Sequence, residues 1–268
     1  MARRRLARTK FRYARADVGP RAIFLPGGVM PADLAYQALL DALGEDVEAI
    51  AKDLEVYAGS EPPLGYTLQH EIDGVLRTAR DAGFERFHLV GYSGGGASSL
   101  ALAASHPDRL LSLALIEPAW MGNDDLHPEE QAVWREFDRI ATLPPEEMMP
   151  AFVAIQLAPG VEPPPPPPGP PPAWMANRPA GLRAFLKTFR SSTLSLDRLR
   201  NFAKPVYFAL GGRSNPDYYA RMAERAREIF PDFTLDVFTQ RHHFDPPHRI
   251  EPERTAKALR AHWARADS

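Results

Sequence analysis

The sequence predicts an α/β protein: a mostly parallel, doubly wound sheet interrupted once by a helical insertion. Three observations carry this reading. Short apolar runs alternate with helix-spaced segments over residues 21–116 and again over 205–263. The run at 111–116 is apolar everywhere except Ser112, the composition of a strand covered on both faces. Between Pro118 and Ala203 the alternation stops, and only helical pieces are legible.

The elements follow in order. A strand at 21–25 runs into Pro26-Gly27-Gly28, and 31–43 carries Leu34, Leu39 and Leu40 at helical spacing. A second strand lies within 47–57 and a helix at 67–82. A strand at 87–90 leads to a helix of small residues at 94–105, which Pro107 stops. After the strand at 111–116 come helical pieces at 128–141 and 180–189. The alternation resumes with a strand at 205–210, a helix at 217–230, a strand at 233–238 and a helix at 251–263. The division is therefore a core of 1–118 and 204–268 with an insertion at 119–203. Inside the insertion, prolines 163–168, Gly169 and prolines 170–172 favour extended polyproline II. Such a run reads as a stiff spacer between the halves of the insertion, or as a docking segment for a proline-binding domain.

Composition narrows the function. The chain has 268 residues, 44% of them hydrophobic, enough for a real core in one or two domains. A net charge of −2 gives no general pull toward nucleic acid or an anionic membrane. With no cysteine, disulfides, thiolate metal sites and a cysteine nucleophile are excluded. The basic start lacks the apolar run of a signal peptide, and Phe11 and Tyr13 alternate with charge as in an exposed strand. The uncharged stretch around Gly94-Gly95-Gly96 contains a turn, so it is no membrane span. The expectation is a cytoplasmic protein acting on a small molecule, without nucleic acid or membrane partners; its oligomeric state stays open.

The most informative segment is Gly91-Tyr92-Ser93-Gly94-Gly95, a Gly-x-Ser-x-Gly pattern where a strand gives way to a helix. The reversal demands small neighbours, pushes the Ser93 hydroxyl off the strand's carboxyl end and aims helix amides at an oxyanion there. A phosphate-binding glycine loop is the competing reading, but neither Gly-x-x-x-x-Gly-Lys nor Gly-x-Gly-x-x-Gly is present. A nucleophilic serine needs a base, and His243, in the loop after the last strand, is the first choice, with His242 in reserve. Glu117, at the tip of the 111–116 strand, is the candidate acid; Asp217 and Asp245 remain alternatives. Gly94 and Gly28 are the candidate oxyanion donors. His242, His243, Asp245 and His248 together also admit a metal site, though Pro246-Pro247 stiffens the approach of His248.

These residues resemble the α/β-hydrolase superfamily from about Arg21 to the carboxyl end, with the insertion in place of that family's variable cap. The resemblance implies an α/β-hydrolase fold with an inserted helical cap and chemistry that needs no cofactor and no metal. In that family a His-Gly pair commonly precedes the second oxyanion donor; here Pro26 stands at the histidine's place. Members usually carry the acid after the strand that here ends at Leu210. Glu117 is similar instead to the branch with the acid one strand earlier, as in haloalkane dehalogenases and zearalenone-lactonase-like serine hydrolases. Dehalogenases and epoxide hydrolases use an aspartate nucleophile, so Ser93 argues against both. The expected enzyme is a serine hydrolase of carboxylic esters, lactones or thioesters. A metal-dependent hydrolase and a non-catalytic binding protein are the alternatives. The insertion holds three of the four tryptophans and four of the seven methionines. With Phe152, Phe185 and Phe189 these either line an apolar pocket or form the insertion's own core. Trp120 and Met121, directly after Glu117, and Tyr92, beside the serine, are the pocket candidates.

Overall fold

A computed structural model describes residues 19–163, 165 and 169–266. The expected exposed strand around Phe11 and Tyr13 lies outside them, as do four prolines of the proline run. The described part of that run is exposed and forms neither helix nor strand.

Among the described residues six parallel strands, numbered β1 to β6 along the chain as residues 21–25, 48–51, 87–92, 110–116, 206–211 and 233–238, lie in the order β2-β1-β3-β4-β5-β6. β1 (Arg21–Leu25) alternates its side chains across the sheet. Ala22 and Phe24 pack on one face under α1 (Ala32–Leu43), while Ile23 and Leu25 enter the larger core on the other. α1 buries Ala32, Ala35, Tyr36, Leu39 and Leu43, a stripe at helical spacing. β2 (Glu48–Ala51) is an edge strand, and α2 (Leu68–Asp81) starts on a capping box between Thr67 and His70. β3 (Phe87–Tyr92), α3 (Gly94–Ser105) and β4 (Leu110–Ile116) form the centre. α3 can lie tight on the sheet because its first ten residues are small or leucine.

Between β4 and β5 (Val206–Gly211) the chain leaves the sheet and returns to a neighbouring strand, Leu113 pairing with Val206. This insertion holds α4 (Pro128–Ala141), α5 (Pro145–Ala154), α6 (Arg178–Ser191) and α7 (Leu196–Arg200). Two of these are longer helices where the sequence predicts them. α5 and α7 are additions, the first hidden by prolines at its start and at Pro150. α8 (Arg221–Ile229) follows a π-turn at Pro216–Ala220, so the predicted helix at 217–230 begins irregularly. β6 (Phe233–Phe238), α9 (Pro247–Ile250) and α10 (Pro252–Ala266) complete the chain, and α10 covers the same face as α1. The chain passes to opposite faces on either side of β1, so the strand order reverses beside β3, the place where α/β sheets gather their sites.

Candidate active site

β3 ends at Tyr92 and α3 begins at Gly94, so the whole reversal falls on Ser93. It takes φ 52° and ψ −118°, a backbone state that residues with a side chain rarely hold. Its surroundings enforce this. The Ser93 N–H donates to the Ile116 carbonyl, and the Ser93 carbonyl accepts from the amides of Ala97 and Ala119. A methyl group on Gly91 would lie 2.4 Å from the Ser99 hydroxyl, and one on Gly95 2.4 Å from the Leu25 carbonyl. Only glycine closes the turn at either place.

β3 and β4 run in register up to Tyr92 and Ile116, which sets Ser93 and Glu117 side by side at the sheet's carboxyl edge. The loop after β6 then brings His243 between them. Ser93 Oγ lies 3.0 Å from His243 Nε2, and His243 Nδ1 lies 3.1 Å from Glu117 Oε2. The second Glu117 oxygen accepts the Gly211 N–H at 2.8 Å. Glu117 and His243 are each 1% exposed and Ser93 6%. With water excluded from this chain of contacts, each is stronger than it would be at a surface. The imidazole is also held by its flanks. Tyr219 stacks on it at 4.6 Å, Phe244 meets it edge-on at 5.2 Å, and the Tyr92 hydroxyl donates to the His243 carbonyl. Burial, reinforced by the Glu117 charge, pushes both tyrosine hydroxyls far up, so they stay protonated.

The other acids are engaged elsewhere. Asp217 is exposed after β5, where Asn215 rather than Asp217 caps the turn, accepting the Asp217 N–H at 3.0 Å. Asp245 accepts the His242 N–H and pairs with Arg241, bracing its own loop. Glu117 alone faces the His243 ring nitrogen.

Gly94 opens α3, so its N–H has no partner within the helix and sits at the positive end. A methyl group on Gly94 would lie 3.7 Å from Gly28 N, so the two candidate donors are neighbours. The Gly28 loop is anchored twice: Gly95 N–H donates to the Pro26 carbonyl, and the Tyr57 hydroxyl to the Gly28 carbonyl at 2.6 Å. Arg178 of the insertion lies over the Tyr57 ring, 3.9 Å from its centre. Tyr57's own segment hangs on Glu71, whose buried carboxylate accepts from Glu55 N, Val56 N and the Tyr66 hydroxyl. Sequence reasoning missed Tyr57, Glu71 and Tyr219, because none belongs to a motif and each acts through contacts distant in the chain.

A sequence profile described as the alpha/beta hydrolase family matches residues 22–258. The chain belongs to that family. It is 34% identical over 106 residues to a fluoroacetate dehalogenase of Burkholderia, covering 37% of this chain and 34% of that one. It is 28% identical over 171 residues to a pimeloyl-[acyl-carrier protein] methyl ester esterase of Aeromonas hydrophila, covering 63% and 66%. The match thus spans about a third of the dehalogenase and about two thirds of the esterase. Among solved structures, an esterase of Thermogutta terrifontis shares the fold at TM-score 0.65 and 18% identity, over 94% of this chain and 92% of that one. A bacterial membrane phospholipase A does so at TM-score 0.68 and 22% identity, over 93% and 80%.

In this α/β hydrolase two cavities meet at Ser93. The first, about 380 Å³, lies under the insertion between Gly28, Ser93 and Gly94 on one side and Phe137, Phe152, Leu182, Phe185, Leu186 and Phe189 on the other. The second, about 460 Å³, opens on the histidine side toward Met30, Tyr92, Phe244, His248 and Arg249. Two pocket expectations are corrected here. Trp120 and Met121 are each 1% exposed and line neither cavity. Trp120 stacks behind Phe189 at 5.7 Å and donates its indole N–H to Asn123, so it backs the wall rather than forming it. Tyr92 does border the second cavity, but its hydroxyl is committed to the His243 carbonyl.

The late histidines do not converge as a metal site would require. His242 Nδ1 accepts the Phe244 and Asp245 amides, and burial lowers its pKa. His243 faces Ser93 and Glu117, and His248 is walled between Tyr36 and Tyr92 at 4.9 and 4.8 Å. Among the described residues, no helix is long and apolar enough to cross a membrane.

Proposed function

We propose that the protein is a serine hydrolase that cleaves a carboxylic ester, lactone or thioester of a mainly apolar small molecule through an acyl-enzyme on Ser93. The observation that carries this is the buried chain Ser93–His243–Glu117, at 3.0 and 3.1 Å, hung on a strained turn. The Glu117 carboxylate holds the Nδ1 proton, leaving the Nε2 lone pair toward the serine hydroxyl. As Oγ bonds to the substrate carbonyl carbon, its proton passes to Nε2, and the carbonyl oxygen takes the negative charge between the Gly28 and Gly94 amides. Collapse breaks the bond to the leaving oxygen or sulfur, which takes the proton from Nε2. Water then gives its proton to His243 while adding to the acyl carbon, and the serine leaves with that proton restored.

The division into cavities supports a preference on each side. Nε2 must reach the leaving atom, so the leaving group belongs in the second cavity, which His243 borders. The acyl portion belongs in the first, whose phenylalanine and leucine walls suit hydrocarbon. In this reading residues 119–203 act as the cap that closes the acyl side, and the enzyme works in the cytoplasm. A fluorophosphonate probe followed by peptide mapping tests the proposal. Stoichiometric labelling of Ser93, lost in Ser93→Ala, is the expected result; an unlabelled Ser93 in folded protein overturns it.

A further inference from the structure

The second cavity is chemically unlike the first. Among the described residues no acidic side chain lines it, and Arg249 is the one lysine or arginine on its wall. The Arg249 side chain makes no ion pair or hydrogen bond among the described residues, whereas the neighbouring arginines Arg241 and Arg254 are both paired. The acids nearest in sequence are occupied, Asp245 by Arg241 and the His242 amide, and Glu251 by Arg241 and Arg254. Beside Arg249, the His248 ring borders the same cavity, fully buried, and neither of its nitrogens has a partner among the described residues. Burial, with Arg249 and His243 adding to it, pushes His248 down to about 3, so the ring is neutral and offers one N–H donor and one lone pair. A buried imidazole with both nitrogens unpartnered is unusual, because buried polar groups are as a rule paired, and here it borders the same cavity as a half-buried arginine.

We infer that the second cavity is a subsite for an anionic group on the leaving portion of the substrate, a carboxylate or phosphate held by the Arg249 guanidinium with His248 beside it. The inference rests on the hydrolase reading and deepens it: the substrate is an ester or thioester with a hydrocarbon acyl part and a negatively charged alcohol or thiol part. A planar fork of N–H donors suits two oxygens of such a group better than it suits any neutral chain.

The test compares two butyrate esters of matched shape, 3-carboxypropyl butyrate and the neutral 4-methylpentyl butyrate, on enzyme whose Ser93 has been counted with a fluorophosphonate. Wild type is expected to favour the charged ester in kcat/KM by about tenfold or more. Arg249→Gln removes most of that preference, and Arg249→Lys, which keeps the charge, retains part of it. Replacing the carboxylate by a phosphate at the same distance tells which anion the site prefers. A wild type that favours the neutral ester overturns the inference. So does a preference that survives Arg249→Gln, and so does a labelled Ser93 that turns over neither ester. Failure of Ser93 to label is a different result and sinks the hydrolase reading itself.

Discussion

The carboxyl edge of the sheet and the helical insertion face each other across Ser93, and they are built on opposite terms. At the sheet edge, position is set by strand register and by paired polar contacts: Glu117 divides its oxygens between His243 and the Gly211 amide. Across the gap the insertion presents hydrocarbon to the same cavity, chiefly the Phe185 and Phe189 rings stacked 5.2 Å apart. The difference teaches where precision is needed. Proton transfer tolerates errors of a few tenths of an ångström, and strands supply that tolerance; an apolar wall needs only approximate shape.

Substitutions at the edge are therefore expected to cost rate, and substitutions in the insertion to change selectivity. The largest effect is expected from Ser93→Ala, which should lower kcat by about 10⁴-fold or more with thermal unfolding little changed. Glu117→Gln follows, at roughly 10³-fold in kcat, because the imidazole loses both its tautomer control and its counter-charge. Asp217→Asn, measured alongside, should stay within about twofold, and the reverse result would move the acid to the loop after β5. Tyr57→Phe releases the Gly28 carbonyl and should lower kcat about tenfold while KM changes little, a split that simple loss of packing would not give. In the insertion, Phe185→Leu should alter the ratio of kcat/KM for long and short acyl chains by roughly threefold to tenfold and leave labelling of Ser93 intact. Equal losses on every chain length would place Phe185 with the catalytic edge instead.

Stability gives a fifth measurement, carried by three buried histidines. His88, His248 and His262 are buried, and burial lowers them to about 3, 3 and 4. In the unfolded chain each titrates near 6.5. Their contribution is therefore fully present above 6.5 and is lost as pH falls toward the folded values, by about 1.4 kcal/mol per pH unit for each ring. Urea midpoints should fall accordingly between about pH 6 and 4, and His262→Gln should make the decline shallower.

Most of the sheet edge was legible in the chain because it is local. Gly91 to Gly95 spells a turn, 111–116 spells a buried strand, and an acid directly after that strand has one direction to point. His243 was reachable because the last strand and its loop are short. The apolar wall of the first cavity was only partly readable. Phe152, Phe185 and Phe189 do line the cavity, but Trp120 and Met121 do not, since adjacency to Glu117 says nothing of which way a side chain turns after the chain leaves the sheet. The helical phase of α5 was obscured by its prolines. Tyr57 and Arg178 meet the Gly28 loop only through folding, and no spacing in the sequence announces that.

One consequence concerns the turn after β5. It fastens the insertion: the Arg213 carbonyl accepts from Ala158 N, Asn215 N donates to the Gln156 carbonyl, and Asn215 Nδ2 to the Ile155 carbonyl. The same turn begins at Gly211, whose amide steadies Glu117. The insertion and Glu117 thus share one hinge-pin, and a displacement of the insertion must either stretch those tethers or carry the support of Glu117 along with it.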